Sequence, residues 1–197
     1  FTERGIYGRW VTGEGAVYRD FKEDMYIDSA PDDLVRFYAG VDWGYEHYGS
    51  IVVIGESADG SIYLVEEHAH QHEEIDFWVD VAKDIKSRYG NITFWADSAR
   101  PEHVARFQRE QIKTFNANKA VLSGIEEVAK FMKAGRFFVV SDKVIRFKDE
   151  VYQYIWNEKT GEPIKENDDV LDALRYAIYS KQTQPKATVK RKSLYGL

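Results

Sequence analysis

Three short apolar runs follow one another within the first third of the chain. Polar breaks that contain glycine separate them, and the second break includes Asp59-Gly60, a dipeptide typical of tight hairpin turns. Apolar runs of this length, bounded by turn residues, predict buried strands. The strands are expected at residues 35–41, 50–55 and 61–66, and we predict that they pair in sequence as antiparallel neighbours.

The pattern changes period after residue 72, where apolar side chains begin to recur every three or four positions, as in a helix. From there, helical repeats and apolar runs alternate, which predicts an α/β fold. The predicted elements are a helix at 75–89, a strand at 92–97, a helix from Pro101, a strand at 112–116, a helix at 124–134, a strand at 136–140, a helical segment at 142–154, a hairpin at 155–164 and a helix at 168–181.

Two of the predicted strands end in a carboxylate. The run at 37–41 leads to Asp42, and the run at 92–96 leads to Asp97. A carboxylate at the end of a buried strand is held rigidly at the edge of the sheet, where a metal ligand or a general base would lie. The alternative, that each aspartate only caps its own turn, stays open at this point.

The last predicted helix carries further acids. Asp168 and Asp172 are four positions apart and Asp169 and Asp172 three, so helical spacing brings Asp172 to the same flank as another carboxylate. Asp168 or Asp169 could cap the helix N-terminus, but Asp172 lies a full turn inside, where capping does not apply. The structural alternative for Asp172 is a surface aspartate of the helix that pairs with Arg175 or Arg136.

Asp42, Asp97 and Asp172 are therefore the candidate catalytic and metal-binding residues. A two-metal phosphodiester hydrolase needs rigid carboxylates around two divalent ions about 3.5–4 Å apart, one activating water and the other stabilising the leaving oxygen. Carboxylate oxygens favour Mg²⁺ or Mn²⁺ over zinc. Three acids on three rigid elements predict a site for two such ions, with Asp169 as a further candidate ligand.

Charge is unevenly distributed along the chain. The formal net charge of −6 argues against a protein that coats nucleic acid nonspecifically, but residues 119–148 carry seven basic and three acidic side chains. A local excess of basic side chains suits phosphate groups. Solvated faces without a ligand remain the alternative for any single cluster. We predict DNA contacts at Lys130, Lys133, Arg136, Lys143, Arg146 and Lys148, and at Lys159 in the hairpin.

Composition limits the number of domains, the types of metal site and the cellular location that the chain can have. With 197 residues, 44% of them hydrophobic, the chain is long enough for one compact domain. It contains no cysteine, which fits a reducing compartment and excludes thiolate metal sites. No apolar run is long enough to span a membrane and no signal-peptide pattern opens the chain, so we expect a cytoplasmic protein. The chain starts with Phe1 rather than Met, which suggests a piece of a longer protein.

The motifs around the acids resemble a known family. Residues 40–44, 94–99 and 167–177 are similar, in this order, to motifs of the C-terminal nuclease domain of the terminase large subunit of tailed bacteriophages. The resemblance covers most of the chain, and it includes the lead-in at 7–18 and the turn at 160–163. The motif at 167–177 is the most specific of these.

The resemblance implies a ribonuclease H-like fold, with a mixed sheet of three antiparallel strands followed by parallel strands, flanking helices and an added β-hairpin. It also implies an endonuclease that cuts concatemeric double-stranded viral DNA in the host cytoplasm with little sequence preference, using Asp42, Asp97 and Asp172 as metal ligands. The implied partners are an ATPase domain of the same polypeptide, the terminase small subunit and the portal protein. The chain lacks a Gly-x-x-x-x-Gly-Lys-Ser/Thr phosphate loop, so the ATPase is not in it. The family often has His where this chain has Asp169, which leaves the role of Asp169 open.

We predict three segments, namely a lead-in at 1–33 that packs on the core, a nuclease domain at 34–182 and a flexible basic tail at 183–197. Two alternatives to the endonuclease stay open. One is a noncatalytic docking module of a packaging motor, whose acids only cap turns. The other is a junction resolvase or exonuclease on the same fold.

Overall fold

The computed structural model describes residues 15–185, which form a mixed seven-stranded sheet with helices on both faces. The strands are β1 (Tyr26–Ile27), β2 (Arg36–Asp42), β3 (Gly49–Glu56), β4 (Ile62–His70), β5 (Thr93–Ala96), β6 (Thr114–Asn116) and β7 (Phe137–Val140). The helices are α1 (Ile75–Tyr89), α2 (Pro101–Arg109), α3 (Val121–Lys133), α4 (Arg146–Gln153) and α5 (Asp169–Thr183). Short 3₁₀ turns lie at Glu23–Met25 and Ser141–Lys143.

The order of strands across the sheet is β1-β7-β4-β3-β2-β5-β6. Strands β2, β3 and β4 pair antiparallel in sequence, whereas β5 pairs parallel with β2, β6 with β5 and β7 with β4. The predicted fold class, three antiparallel strands followed by parallel strands, is confirmed. Helices α1 and α2 pack against one face of the sheet, and α3, α4 and α5 pack against the other.

Two predicted elements differ from the structure in instructive ways. The helical segment expected at 142–154 becomes a 3₁₀ turn followed by α4, because the carboxylate of Glu67 accepts the backbone N–H groups of Ile145, Arg146 and Phe147 and so fixes the start of α4. The hairpin expected at 155–164 contains a single antiparallel bridge, Trp156 to Pro163, and closes with additional backbone hydrogen bonds.

Two predictions extend beyond the residues that the structure describes. The lead-in at 1–33 is described from residue 15 onward, and residues 186–197 of the predicted basic tail lie outside the described part. None of the helices between residues 15 and 185 combines the length and the apolarity needed to span a bilayer.

Helix α5 packs directly on β2 because residue 40 is a glycine. A Cβ at Gly40 would overlap the carbonyl oxygen of Ala173 and would lie 2.9 Å from the Cβ of Ala177. The absence of this one carbon therefore allows the backbone of α5 to contact the central strand. Close contact at this point brings the first turn of α5 to the edge of the sheet where β2 ends.

Candidate active site

Asp42 and Asp97 lie side by side at one edge of the sheet. Asp42 is the last residue of β2, and Asp97 directly follows β5, which pairs in parallel with β2 through Val41 and Ala96. The backbone N–H of Asp97 donates to the carbonyl of Val41 at 3.0 Å, and Nε1 of Trp43 donates to the carbonyl of Asp97 at 2.8 Å. These hydrogen bonds continue the strand pairing by one residue and hold both aspartates at that edge.

Asp172 reaches the same edge from α5. Its side chain is buried, and it precedes Ala173, which packs on β2. The hydroxyl of Ser50 donates to the carbonyl of Asp169 at 2.8 Å, which ties the start of α5 to β3. Because Ser50 pairs with Asp42 across β2 and β3, this bond also fixes the helix start relative to Asp42.

One cleft of about 510 Å³ contains all the acids that the sequence singles out. Asp42, Asp97 and Asp172 line it together with Asp168 and Asp169. Other lining residues come from the loop after β2, from α4 and from the loop that precedes α5. The structure thus brings the three predicted catalytic acids and Asp169 together, and it adds Asp168 to them.

Burial and crowding change the ionisation of these acids. Burial raises the pKa of Asp42 well above its usual value, and the negative charges of Asp172 and Asp97 raise it further. Burial and the neighbouring carboxylate of Asp168 likewise raise the pKa of Asp172. A cation among the carboxylates would offset both the repulsion and the loss of solvation, so the cleft is electrostatically suited to cations.

Lysine side chains contact several of the carboxylates. The Nζ of Lys165 lies 2.7 Å from Oδ2 of Asp172 and 3.0 Å from Oδ2 of Asp168. The Nζ of Lys119 lies 2.8 Å from Oδ1 of Asp97. The sequence does not pair either lysine with the acids, because both lie in loops, where no periodicity relates a side chain to the acids.

Arg175 pairs with Asp172 from the interior of the domain. Its Nη2 lies 3.2 Å from Oδ1 of Asp172, and its Nη1 donates to the carbonyls of Lys119 at 3.0 Å and Ala120 at 2.8 Å. The side chain of Arg175 is 4% exposed, whereas that of Lys165 is 73% exposed. Arg175 is therefore a fixed partner of Asp172, and Lys165 is an exchangeable one. The pairing with Arg175 that the alternative expected is present, but the alternative is wrong about the surface position, because Asp172 is buried.

The N-terminus of α5 is capped by a residue of α4. Asp168 precedes the helix, but its side chain makes no capping hydrogen bond. The buried carboxylate of Glu150 instead accepts the backbone N–H groups of Val170 at 2.9 Å and Leu171 at 3.0 Å. Glu150 therefore fills the capping role considered for Asp168, and the Asp168 carboxylate lines the cleft.

The donor set of the cleft fits a hard divalent cation. The clustered side chains offer carboxylate oxygens, the ligands that Mg²⁺ and Mn²⁺ prefer. Within residues 15–185, no three His, Asp or Glu side chains are already arranged around a common metal position. Lysine ammonium groups contact oxygens of Asp97, Asp168 and Asp172, so a cation would have to take over oxygens that these lysines contact.

Arg146 is the predicted DNA-binding residue that the structure places in the acidic cleft. Its guanidinium lies 3.6 Å from the centroid of the Tyr48 ring. Its Nη2 is 3.5 Å from Oδ2 of Asp169, and its Nε donates to Oε2 of Glu150 at 3.2 Å. The guanidinium is therefore stacked and hydrogen-bonded in place beside the acids.

The other predicted DNA-binding residues lie elsewhere on the domain. Lys130 and Lys133 line a separate groove with residues of α5, and Arg136 donates to the carbonyl of Asp59 in the turn between β3 and β4. The Nζ of Lys148 lies 5.6 Å from the centroid of the Tyr26 ring, Lys143 is in the second 3₁₀ turn, and Lys159 is in the turn of the 155–164 segment. The structure therefore does not gather these residues around the acids, and their contact with DNA stays a prediction.

Comparison with known proteins gives a consistent match. The family model for the terminase ribonuclease H-like domain matches residues 39–181. A curated relative, the large terminase subunit of Enterobacteria phage LP7, is 30% identical over 119 residues, which are 60% of this chain. The match covers 21% of the LP7 protein, so the chain spans about a fifth of that relative's length.

Solved structures share the fold. The large terminase of a thermophilic bacteriophage, solved in complex with ATP-gamma-S, matches with a TM-score of 0.72 and 26% identity, over 87% of this chain and 46% of that protein. The P22 large terminase nuclease domain matches with a TM-score of 0.69 and 21% identity, over 88% of this chain and 99% of that domain. The nuclease domain of the bacteriophage SPP1 large terminase, solved with bound Mn, matches with a TM-score of 0.65 and 18% identity. This match covers 81% of this chain and 94% of that domain. Because the family model covers most of the sequence, the chain belongs to the family of terminase ribonuclease H-like domains.

Proposed function

We propose that this domain is a metal-dependent endonuclease that cuts double-stranded, concatemeric viral DNA with little sequence preference during genome packaging. The observation that carries the proposal is the clustering of Asp42, Asp97 and Asp172 in one cleft at the edge of a ribonuclease H-like sheet. The SPP1 nuclease domain, which shares this fold, has been solved with bound Mn, and this supports a divalent ion as the cofactor here.

Asp42, Asp97 and Asp172 would hold two Mg²⁺ or Mn²⁺ ions, with Asp168 and Asp169 beside them. When bound, the ions would supply water activation and charge stabilisation at the leaving oxygen. The acids themselves make cations necessary, because a DNA phosphate entering the cleft would otherwise face several negative charges at short range. The rigid mounting of the acids on β2, β5 and α5 limits the rearrangement needed to bind substrate.

Arg146 would contact a phosphate of the DNA next to the acids. A planar guanidinium can bind two phosphate oxygens at once, and to do so Arg146 would turn its hydrogen-bonding edge from Glu150 and Asp169 towards the phosphate while it stays on the Tyr48 ring. The basic residues outside the cleft remain predicted DNA contacts, and their charges would add long-range attraction, which salt screens.

Replacement of Arg146 by glutamine should therefore weaken DNA binding and lower the slope of log affinity against log salt concentration by about 1, as expected for one lost phosphate contact. The matched change Lys113→Gln removes an exposed charge that lies away from the cleft and is not among the predicted DNA contacts, and it should change this slope less. Fluorescence anisotropy with a labelled duplex in Ca²⁺ would measure both. Equal slopes for the two variants would contradict a cleft-specific role for Arg146.

The direct test of the proposed function is cleavage of circular plasmid DNA by the purified domain. Mn²⁺ should support conversion of supercoiled plasmid to linear and shorter products, and EDTA should stop it. A preference for branched over circular DNA would favour a junction resolvase, and digestion that requires free ends would favour an exonuclease. No cleavage and no metal binding at millimolar Mn²⁺ would favour the noncatalytic docking module.

The proposal also includes the location of the domain in the cell, its partners and its segments. The domain would act in the host cytoplasm as one part of a longer large terminase subunit, whose ATPase domain is not in this chain. The terminase small subunit and the portal protein would be its further partners. The predicted division into a lead-in at 1–33, a nuclease domain at 34–182 and a tail at 183–197 belongs to this proposal as well.

A further inference from the structure

We infer that Lys165 is a tethered counter-ion that competes with divalent cations for the carboxylates of Asp168 and Asp172, so that loading the site with metal requires the release of this lysine. The inference rests on the proposed function, because it assigns a role to a residue of the same cleft.

The contacts of Lys165 place its charge between two acids. Its Nζ lies 2.7 Å from Oδ2 of Asp172 and 3.0 Å from Oδ2 of Asp168, so one ammonium group bridges two carboxylates. The side chains of these aspartates are 3% and 10% exposed, respectively. A divalent ion that binds Asp172 needs a free carboxylate oxygen on the cleft side, and Lys165 contacts the oxygen that Arg175 leaves available.

The surroundings of Lys165 allow it to leave. Its side chain is 73% exposed, and it lies in the short loop at 165–168, between the 155–164 segment and α5. Arg175, in contrast, is buried and bonded to two backbone carbonyls, so it stays on Asp172 when Lys165 departs. Asp172 thus has one oxygen with a permanent partner and one with an exchangeable partner.

Competition of this kind is reciprocal. A divalent ion that displaces Lys165 frees an ammonium group at the rim of the cleft, where a DNA phosphate would enter. Lys119 would likewise compete with a cation for Asp97, because its Nζ lies 2.8 Å from Oδ1 of Asp97 and its side chain is 37% exposed. Metal loading therefore exchanges lysine–carboxylate pairs for metal–carboxylate bonds and turns lysine charge towards the substrate.

Isothermal titration of the protein with MnCl₂ in the absence of DNA tests this inference. Lys165→Met removes the ammonium and keeps the length of the side chain. It should bind Mn²⁺ about three- to thirtyfold more tightly than the unchanged protein, the range expected for the loss of the two ion pairs that Lys165 makes with Asp168 and Asp172. In EDTA the same variant should melt at a lower temperature, because Asp172 and Asp168 lose a partner. Added Mn²⁺ should then raise its melting temperature more than that of the unchanged protein.

Lys113→Met is the matched control. Lys113 is exposed, precedes β6 and contacts none of the acids, so its removal changes the net charge equally and should leave Mn²⁺ affinity within about twofold. Lys119→Met should tighten Mn²⁺ binding in the same direction as Lys165→Met. Equal Mn²⁺ affinities for Lys165→Met and the unchanged protein, or equal gains for Lys165→Met and Lys113→Met, would overturn the inference alone. Failure of the unchanged protein to bind Mn²⁺ would overturn the proposed function together with it.

Discussion

Replacement of Asp42 by asparagine should abolish Mn²⁺-dependent plasmid cleavage and at the same time make the metal-free domain more stable. Asparagine keeps the shape of the side chain but removes the charge and one strong metal-binding oxygen. The loss of a direct metal ligand should lower the cleavage rate on the order of a hundredfold or more. Gel analysis of plasmid products over time would measure this loss.

The stability gain follows from the environment of Asp42. Burial, followed by the negative charges of Asp172 and Asp97, raises the pKa of Asp42 in the folded domain. A carboxyl group with a raised folded pKa costs folding free energy as the pH rises above its unfolded pKa of about 3.9. In EDTA at pH 7, Asp42→Asn should therefore melt about 2–4 °C above the unchanged protein, which corresponds to about 1 kcal/mol at this size. The difference should vanish as the pH falls towards about 4.

Asp80→Asn provides the matched control, because Asp80 is exposed on α1 and lies outside the acidic cleft. This variant should retain both cleavage and melting temperature. Cleavage by Asp42→Asn at the rate of the unchanged protein would show that the acidic cleft is not the active centre. Loss of cleavage together with a large fall in melting temperature would instead indicate a structural role for Asp42.

The placement of Asp42 and Asp97 could be predicted from the sequence because strand ends are a local property. An apolar run that stops at a carboxylate defines both the strand and the edge where it ends, and parallel pairing of β2 with β5 then brings the two edges together. Asp172 could be singled out for a different reason, since a carboxylate one turn inside a helix has no capping role. These three signals single out the acids without knowledge of long-range contacts, whereas the meeting of the acids in one cleft depends on the pairing of β2 with β5 and on the packing of α5.

The partners of the acids could not be predicted in this way. Lys165 and Lys119 approach the carboxylates from loops, and Glu150 caps α5 from the preceding helix, so each contact depends on how distant elements pack. Sequence periodicity relates residues within one element only. The same limit explains the basic stretch at 119–148, which spans α3, β7 and the start of α4, so that its side chains point in different directions and Arg146 reaches the cleft while Lys133 does not.

Gly40 has a structural role that the sequence alone does not indicate. Within the apolar run, the sequence indicates only a glycine inside a strand, and a glycine at such a position usually weakens the strand. In the structure it is the contact point of α5, and it places Ala173, and hence the neighbouring Asp172, at the edge of the sheet. The geometry of the candidate site therefore depends on a residue that contributes no chemical group to it.

Replacement of Gly40 by alanine should consequently impair both the stability of the domain and its affinity for metal. The added Cβ would overlap the carbonyl oxygen of Ala173, so α5 would have to move away from β2. Overpacking in a core of this kind costs about 1–3 kcal/mol, which urea denaturation would measure, and displacement of Asp172 should weaken Mn²⁺ binding in isothermal titration. Gly90→Ala adds the same methyl group at a position with φ of 85° and ψ of −162°, a backbone region that is essentially restricted to glycine, and with open space around it, so it should cost about 1–3 kcal/mol from the backbone alone and leave Mn²⁺ affinity unchanged. Unchanged stability and Mn²⁺ affinity in Gly40→Ala would show that α5 does not depend on this glycine to reach the sheet.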